Sequence, residues 1–175
     1  PALASSDPAQ AAALLGKVNE VNRPSAARLI MMQWLQTNPE AAKATFLKSA
    51  KMEPHGQPIK FLSLAQLSQG KEAVHYFRLA LELLQRDRSK LQNESKELEL
   101  KFAHNNNDEE EERKNVDDEV RNIDLLISNA FCSIVEVFMT DLCDEPEAEE
   151  ECEMGVKKAL LASPNNPQVY ASIVE

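Results

Sequence analysis

Apolar residues recur at spacings of three and four along most of the chain, which is the period of an amphipathic helix. Prolines and short polar breaks divide this pattern into eight segments. Almost no stretch alternates apolar and polar residues with the period of a strand. The pattern therefore predicts an all-α protein, with helices over residues 8–21, 26–36, 40–52, 59–68, 71–103, 120–143 and 147–162 and an eighth helix that begins near residue 167.

Three of these segments end in the same way, with small and apolar residues at helical spacing, a lysine and then a proline. They cover residues 9–24, 41–54 and 148–164. Proline cannot continue a helix, and another amphipathic segment follows each time. This punctuation is typical of stacked antiparallel helix hairpins, which bind other chains far more often than they catalyse reactions. We expect one repeat domain over residues 1–175, cut from a longer array.

The region after residue 71 departs from this pattern. No proline stops its helix, which predicts one long helix to about Ala103. Between Asp108 and Glu119 there are eight acidic and two basic residues, which supply −6 of the net charge of −10. Blocks of like charge repel and resist packing, so residues 104–119 are expected to form an acidic flexible insert. Attraction of a basic client is the sharper alternative for this segment.

The net charge of −10 argues against nucleic acid or an anionic membrane as a direct ligand, since both require clustered Lys and Arg. A basic protein fits better, although an acidic surface also serves solubility alone. Three cysteines on helical segments fit a reducing compartment. The sequence shows no signal-peptide pattern and no apolar run approaching the ~20 residues of a membrane span. These features predict a cytoplasmic and nuclear protein, and we expect it to be a monomer.

Catalytic chemistry has little support in the sequence. His55, His75 and His104 have no nucleophile at a suggestive spacing. Cys143 and Cys152 lack the paired spacing of a zinc site, and there is no glycine-rich phosphate loop. We therefore expect neither an enzyme nor a metal or cofactor site.

The hairpins at residues 25–54, 58–84 and 130–164 resemble tetratricopeptide repeats. Small residues at fixed places let the two helices of a hairpin approach, and larger ones fill the gap beside them. The resemblance implies a right-handed superhelical stack, made degenerate here by a short turn after Gly70 and by the missing proline after the second hairpin. The matching residues are Leu29, Ala42, Phe46 and Pro54, then Leu62, Gly70, Ala73, Phe77 and Ala80, then Ala130, Ala159 and Pro164.

Two longer strings are more specific. One runs from Lys60 to Leu67 and continues in Gly70-Lys71; the other covers residues 136–143 and 145–149, followed by Cys152-Glu153. They resemble the tetratricopeptide chaperones dedicated to large-subunit ribosomal protein four. Membership would imply that a concave groove binds and shields the client's long basic internal loop until ribosome assembly. A general tetratricopeptide scaffold or co-chaperone, binding a neutral or helical peptide, is the alternative.

In such a superhelix the first helix of each hairpin lines the concave face. Carboxylates beside exposed apolar side chains suit Arg and Lys, whose stems are apolar and whose heads are charged. The alternative is that the aromatic residues are buried between hairpins and the acids are merely solvated. The residues that this projection places in contact with a partner are Met31, Trp34, Lys60, Phe61, Leu64, Ser133, Glu136, Thr140, Asp141, Glu145 and Glu147.

Overall fold

The computed structural model describes the backbone of residues 38–101 and 107–174, and the side chains of residues 38–98 and 113–171. This part of the chain contains helices and turns and no strand, which confirms the all-α prediction. The helices are α1 (Pro39–Met52), α2 (Ile59–Gln66), α3 (Gly70–Lys101), α4 (Asn107–Thr140), α5 (Ala148–Ala162) and α6 (Pro167–Val174). The two helices predicted before residue 37 lie outside the described residues.

The chain divides into two compact units, residues 1–56 and 57–175. In the first unit, α1 begins with proline in its first turn and places Lys51 in its last turn, where a cation interacts favourably with the helix dipole. Ala42 and Phe46, four residues apart, are its buried side chains. The single domain predicted over residues 1–175 stays a prediction.

In the second unit each helix packs against the next: α2 on α3, α3 on α4, and α4 on α5, while α6 contacts both α4 and α5. The turns between α2 and α3 and between α4 and α5 are short, so the helices that they join run antiparallel. The core lies between α3, α4 and α5. Its most buried members include Ala73, Phe77, Leu84, Ala130, Ile134 and Ala159.

The start of α4 differs from the prediction of an acidic flexible insert over residues 104–119. The helix of α4 begins at Asn107, not near Val120, so residues 107–119 are helical instead of a loop. Glutamate, lysine and arginine are good helix formers, and acids near a helix N-terminus are stabilised by its dipole. A long-range contact also holds this region, because Ser95 Oγ of α3 donates to Asp117 Oδ1 at 3.2 Å. Just after the region, Arg88 Nε lies 2.6 Å from Asp124 Oδ1.

One glycine lets α4 and α5 approach closely. A Cβ added to Gly155 would lie 2.5 Å from Val135 Cγ2 and 3.6 Å from the carbonyl oxygen of Phe131. Val135 is itself buried, so the two helices have no space for a methyl group here. The small residue at position 155 therefore fixes how closely α5 lies against α4.

A buried polar cluster sets the start of α6. The Asn166 side chain donates to Ser128 Oγ at 2.9 Å and to Asn129 Oδ1 at 2.7 Å, and its own Oδ1 accepts from the backbone amide of Gln168 at 3.0 Å. Ser128 in turn donates to the carbonyl of Ala159 at 3.0 Å. Asn166 thus caps α6 and ties it to α4 and, through Ser128, to α5.

An 18-residue window within Arg113–Thr140 of α4 meets the length and composition of a membrane span, with a mean hydropathy of 1.6. This corrects the prediction that no stretch of the sequence approaches that length. Of that window 39% is buried, and its helix packs against α3, α5 and α6. It also carries Asp124, paired with Arg88, and exposed Glu136, both of which are costly in hydrocarbon. Packing and charge favour a core helix.

Candidate partner-binding surface

Three acidic residues predicted to contact a partner, Asp141, Glu145 and Glu147, lie on one ordered turn between α4 and α5, at residues 141–147, and are here called the rim. The backbone amide of Asp141 donates to the carbonyl of Val137 at 2.9 Å, and that of Glu145 donates to the carbonyl of Leu142 at 3.0 Å. The Leu142 side chain is buried in the core cluster and anchors the turn. The carboxylates of this turn are therefore carried on an ordered backbone.

Two of these acids contact the start of α3. Asp141 Oδ2 accepts from the backbone amide of Gly70 at 2.8 Å, and Glu145 Oε1 lies 2.7 Å from Lys71 Nζ. Gly70 has φ +53, a conformation that favours glycine. The hydrogen bond and charge of Glu145, followed by the charge of Glu147, raise the pKa of Lys71 above its ordinary value. Part of the rim is thus already engaged within the protein.

Three predicted contact residues lie on one side of α4, spaced three and four residues apart. Ser133 is half-buried, whereas Glu136 and Thr140 are exposed. Thr140 Oγ1 donates to the backbone carbonyl of Glu136 at 2.8 Å, so the hydroxyl is turned towards its own helix. Leu126 is 38% exposed and Met139 39% exposed on the same helix. This combination of carboxylate and apolar surface suits long cationic side chains.

The carboxylates of Glu136 and Glu147 are both exposed, and neither hydrogen-bonds to another residue in the described part of the chain. Glu147 precedes α5 at its N-cap position without a side-chain capping bond. These two residues, here called the free carboxylates, differ in this respect from Asp141 and Glu145. Among the acidic residues predicted to contact a partner, Glu136 on α4 and Glu147 on the turn are the two whose carboxylates no hydrogen bond or ion pair engages in the described part of the chain.

The predicted contact residues of α2 lie inside the protein. Lys60 is 3% exposed, Phe61 5% and Leu64 0%. Lys60 Nζ lies 5.4 Å from the centroid of the Phe61 ring. These three side chains therefore present no open surface to a partner. For Phe61, burial of the aromatic ring, the alternative to a partner contact, is what the structure shows. Met31 and Trp34 lie outside the described residues.

A cleft of about 390 Å³ lies between α3 and α5, with α4 as its floor, and was not predicted from the sequence. Both walls present residues at helical spacing, and Phe131 and Ile134 form the floor. Arg78 donates to Glu151 across the cleft at 2.6 Å. The sequence shows the spacing of three and four on α3 and on α5 separately, but only the tertiary fold places these two helix faces opposite one another.

The cysteines differ in their surroundings. Cys132 is buried and Cys143 exposed. Burial, followed by the charge of Glu151, raises the pKa of the Cys152 thiol, whose sulfur lies 3.8 Å from the carbonyl oxygen of Val135. Both effects disfavour the thiolate, which is the reactive form of a cysteine. No group of three His, Cys, Asp or Glu among the described side chains is arranged to hold a metal ion.

Comparison with known proteins gives one informative similarity. A stretch of 47 residues, 27% of the chain, is 47% identical to a protein of Schizosaccharomyces pombe named "Probable assembly chaperone of rpl4". The stretch covers 14% of that protein's length, so the comparison concerns a small part of the relative. No known protein-family profile matches the chain. The similarity supports the relation to this kind of chaperone that the two sequence strings indicate, while the tetratricopeptide assignment rests on the resemblance alone.

Proposed function

We propose that this chain is part of a dedicated chaperone that binds a newly made basic protein of the large ribosomal subunit and escorts it to assembly. The similarity to the S. pombe protein carries the proposal, because that protein is named for the same task with rpl4 as its client. The net charge of −10 and the free carboxylates add the electrostatic complement that a basic client requires.

The chemistry of binding follows from the exposed side of α4 and the turn after it. Glu136 and Glu147 offer carboxylates to cationic heads, and Leu126 and Met139 offer apolar area to their stems. A basic ribosomal protein binds polyanions non-specifically through the same cations, so covering them prevents premature binding to RNA. In this proposal the hairpins stack as tetratricopeptide repeats, and the chain acts without catalysis as a monomer in the cytoplasm and nucleus.

A charge-reversal experiment tests this proposal. The variant Glu136→Lys/Glu147→Lys is compared with Glu82→Lys/Glu94→Lys, which makes the same charge change at two exposed positions of α3, outside the acidic segment 104–119. Binding of the purified, rpl4-type client is measured by titration over a series of salt concentrations. Exposed ion pairs contribute about 0.2–1 kcal/mol each, so losing two of them is expected to weaken binding about 2- to 30-fold, and repulsion by the new lysines adds to that loss.

The control variant is expected to weaken binding much less, because its charges lie away from the turn. Raising the salt concentration is expected to weaken wild-type binding and to narrow the gap between the two variants, since exposed charges are screened over about 8 Å at 0.15 M salt. Equal losses in both variants would indicate a non-specific charge effect. Salt-insensitive binding would instead favour a general peptide-binding scaffold.

A further inference from the structure

The start of α3 places a cation of the protein itself on the acidic turn. Lys71 Nζ lies 2.7 Å from Glu145 Oε1, and the neighbouring amide of Gly70 donates to Asp141. The Lys71 side chain is 68% exposed and that of Glu145 31%, so the ion pair lies at the surface and can open without disturbing the core. It is a tertiary contact between α3 and the turn after α4, not a local pair within one helix.

We infer that Lys71 is an internal competitor that covers Glu145 until a cationic side chain of the client displaces it. This inference rests on the proposed function, because it assigns a regulatory contact to the same acidic surface. A partner that binds the free carboxylates brings its own cations close to Glu145. Displacement then exposes one further carboxylate and extends the binding surface towards α3.

The geometry also indicates which cation displaces Lys71. An ammonium group binds a carboxylate as a point charge, whereas the planar guanidinium of arginine binds both carboxylate oxygens through two parallel hydrogen bonds. An arginine of the client therefore replaces Lys71 more readily than a lysine does. Lys71 would thus make the chaperone more selective for arginine-containing segments as well as limiting weak, non-specific binding of other cations.

The chain offers a matched control. Lys157 Nζ lies 2.8 Å from Glu153 Oε2, and its side chain is 71% exposed, similar to Lys71. This pair is local, four residues apart on α5. Lys71→Met and Lys157→Met therefore remove the same charge from similar surface ion pairs, and only the first uncovers a carboxylate of the acidic turn.

The experiment measures the affinity of the full chain for two synthetic peptides of equal length and charge, one rich in arginine and one rich in lysine. Wild type, Lys71→Met, Lys157→Met, Glu145→Gln and the double variant Lys71→Met/Glu145→Gln are compared. The Lys71→Met variant is expected to bind both peptides about two- to fivefold more tightly than the Lys157→Met variant does. This difference corresponds to the free energy of one exposed ion pair. The gain should be larger for the lysine peptide, because arginine already displaces Lys71 in the wild type.

The double variant separates a local from a general effect. If Lys71 acts by covering Glu145, replacing it in the Glu145→Gln background gives no gain beyond that of Lys157→Met. Equal affinities of Lys71→Met and Lys157→Met, or a gain that survives in the double variant, would overturn the inference while leaving the proposed function intact. Failure of the wild type to bind either peptide or the client would overturn both.

Discussion

Replacing Gly155 by alanine is expected to destabilise the protein, although helix propensity alone predicts the opposite. Alanine is favoured over glycine inside a helix by about 1 kcal/mol. The added Cβ would lie 2.5 Å from Val135 Cγ2, closer than two carbon atoms can approach, and Val135 is 1% exposed. Overpacking of this kind costs about 1–3 kcal/mol. The net effect is a loss of about 0–2 kcal/mol in the free energy of unfolding.

Urea denaturation followed by circular dichroism measures this loss, and a second substitution isolates its cause. Val135→Ala removes the methyl groups that the new Cβ would meet, and by itself costs on the order of 2 kcal/mol through the cavity that it leaves. In that background Gly155→Ala should be neutral or stabilising, which gives a coupling of about 1–3 kcal/mol between the two sites. If Gly155→Ala alone stabilises the protein by the full propensity gain, the close approach of α4 and α5 is refuted.

Three further predictions concern the buried polar cluster, the start of α3 and the thiols. Asn166→Ala should lower the free energy of unfolding by about 2–4 kcal/mol, because it leaves buried partners unpaired and removes a helix cap. Asn166→Asp keeps the capping oxygen but places a buried carboxylate oxygen against Asn129 Oδ1, so it should lose at least as much, and wild-type stability of either variant in the same denaturation assay would contradict this. Gly70→Ala should lower the free energy of unfolding by about 1–2 kcal/mol, because alanine is strained at the positive φ of this residue. The added Cβ would be in ordinary contact at 3.6 Å, so the strain comes from the backbone, and a variant as stable as wild type in thermal melts would contradict this. Near neutral pH a thiol reagent should modify exposed Cys143 before Cys152. Mass spectrometry of partly labelled protein measures the order, and the reverse order would show that burial does not protect Cys152.

The helices themselves could be predicted because their signals are local. Pro39, Pro58 and Pro167 lie at or next to the starts of α1, α2 and α6, and apolar spacing defines the bodies between the breaks. The start of α4 could not be predicted in this way. Mutual repulsion within residues 107–119 is visible in the sequence, but the contacts of α4 with Arg88 and Ser95 on α3 are not.

The candidate surface was predictable only in part, for a similar reason. The rim residues follow one another in the chain, so a short turn after a helix was enough to group Asp141, Glu145 and Glu147. Helical spacing also indicated a shared face of α4. It could not indicate whether Phe61 and its neighbours face solvent or the interior, because a short amphipathic helix between other elements can be covered on more than one side.

The difference between engaged and free carboxylates determines how mutations of this surface should be interpreted. Asp141 stabilises the start of α3 through Gly70, so reversing its charge would remove a helix-capping acceptor as well as a contact for a partner. A loss of binding in that variant would not distinguish a disturbed start of α3 from the loss of a direct contact with the partner. Glu136 and Glu147 carry no such hydrogen bond among the described residues. Substitution of Glu136 therefore reports on the partner directly, whereas substitution of Glu147 also changes the charge that acts on Lys71. Lys71 combines the two roles. It engages a carboxylate of the turn within the fold, and it bears the same charge as the proposed client.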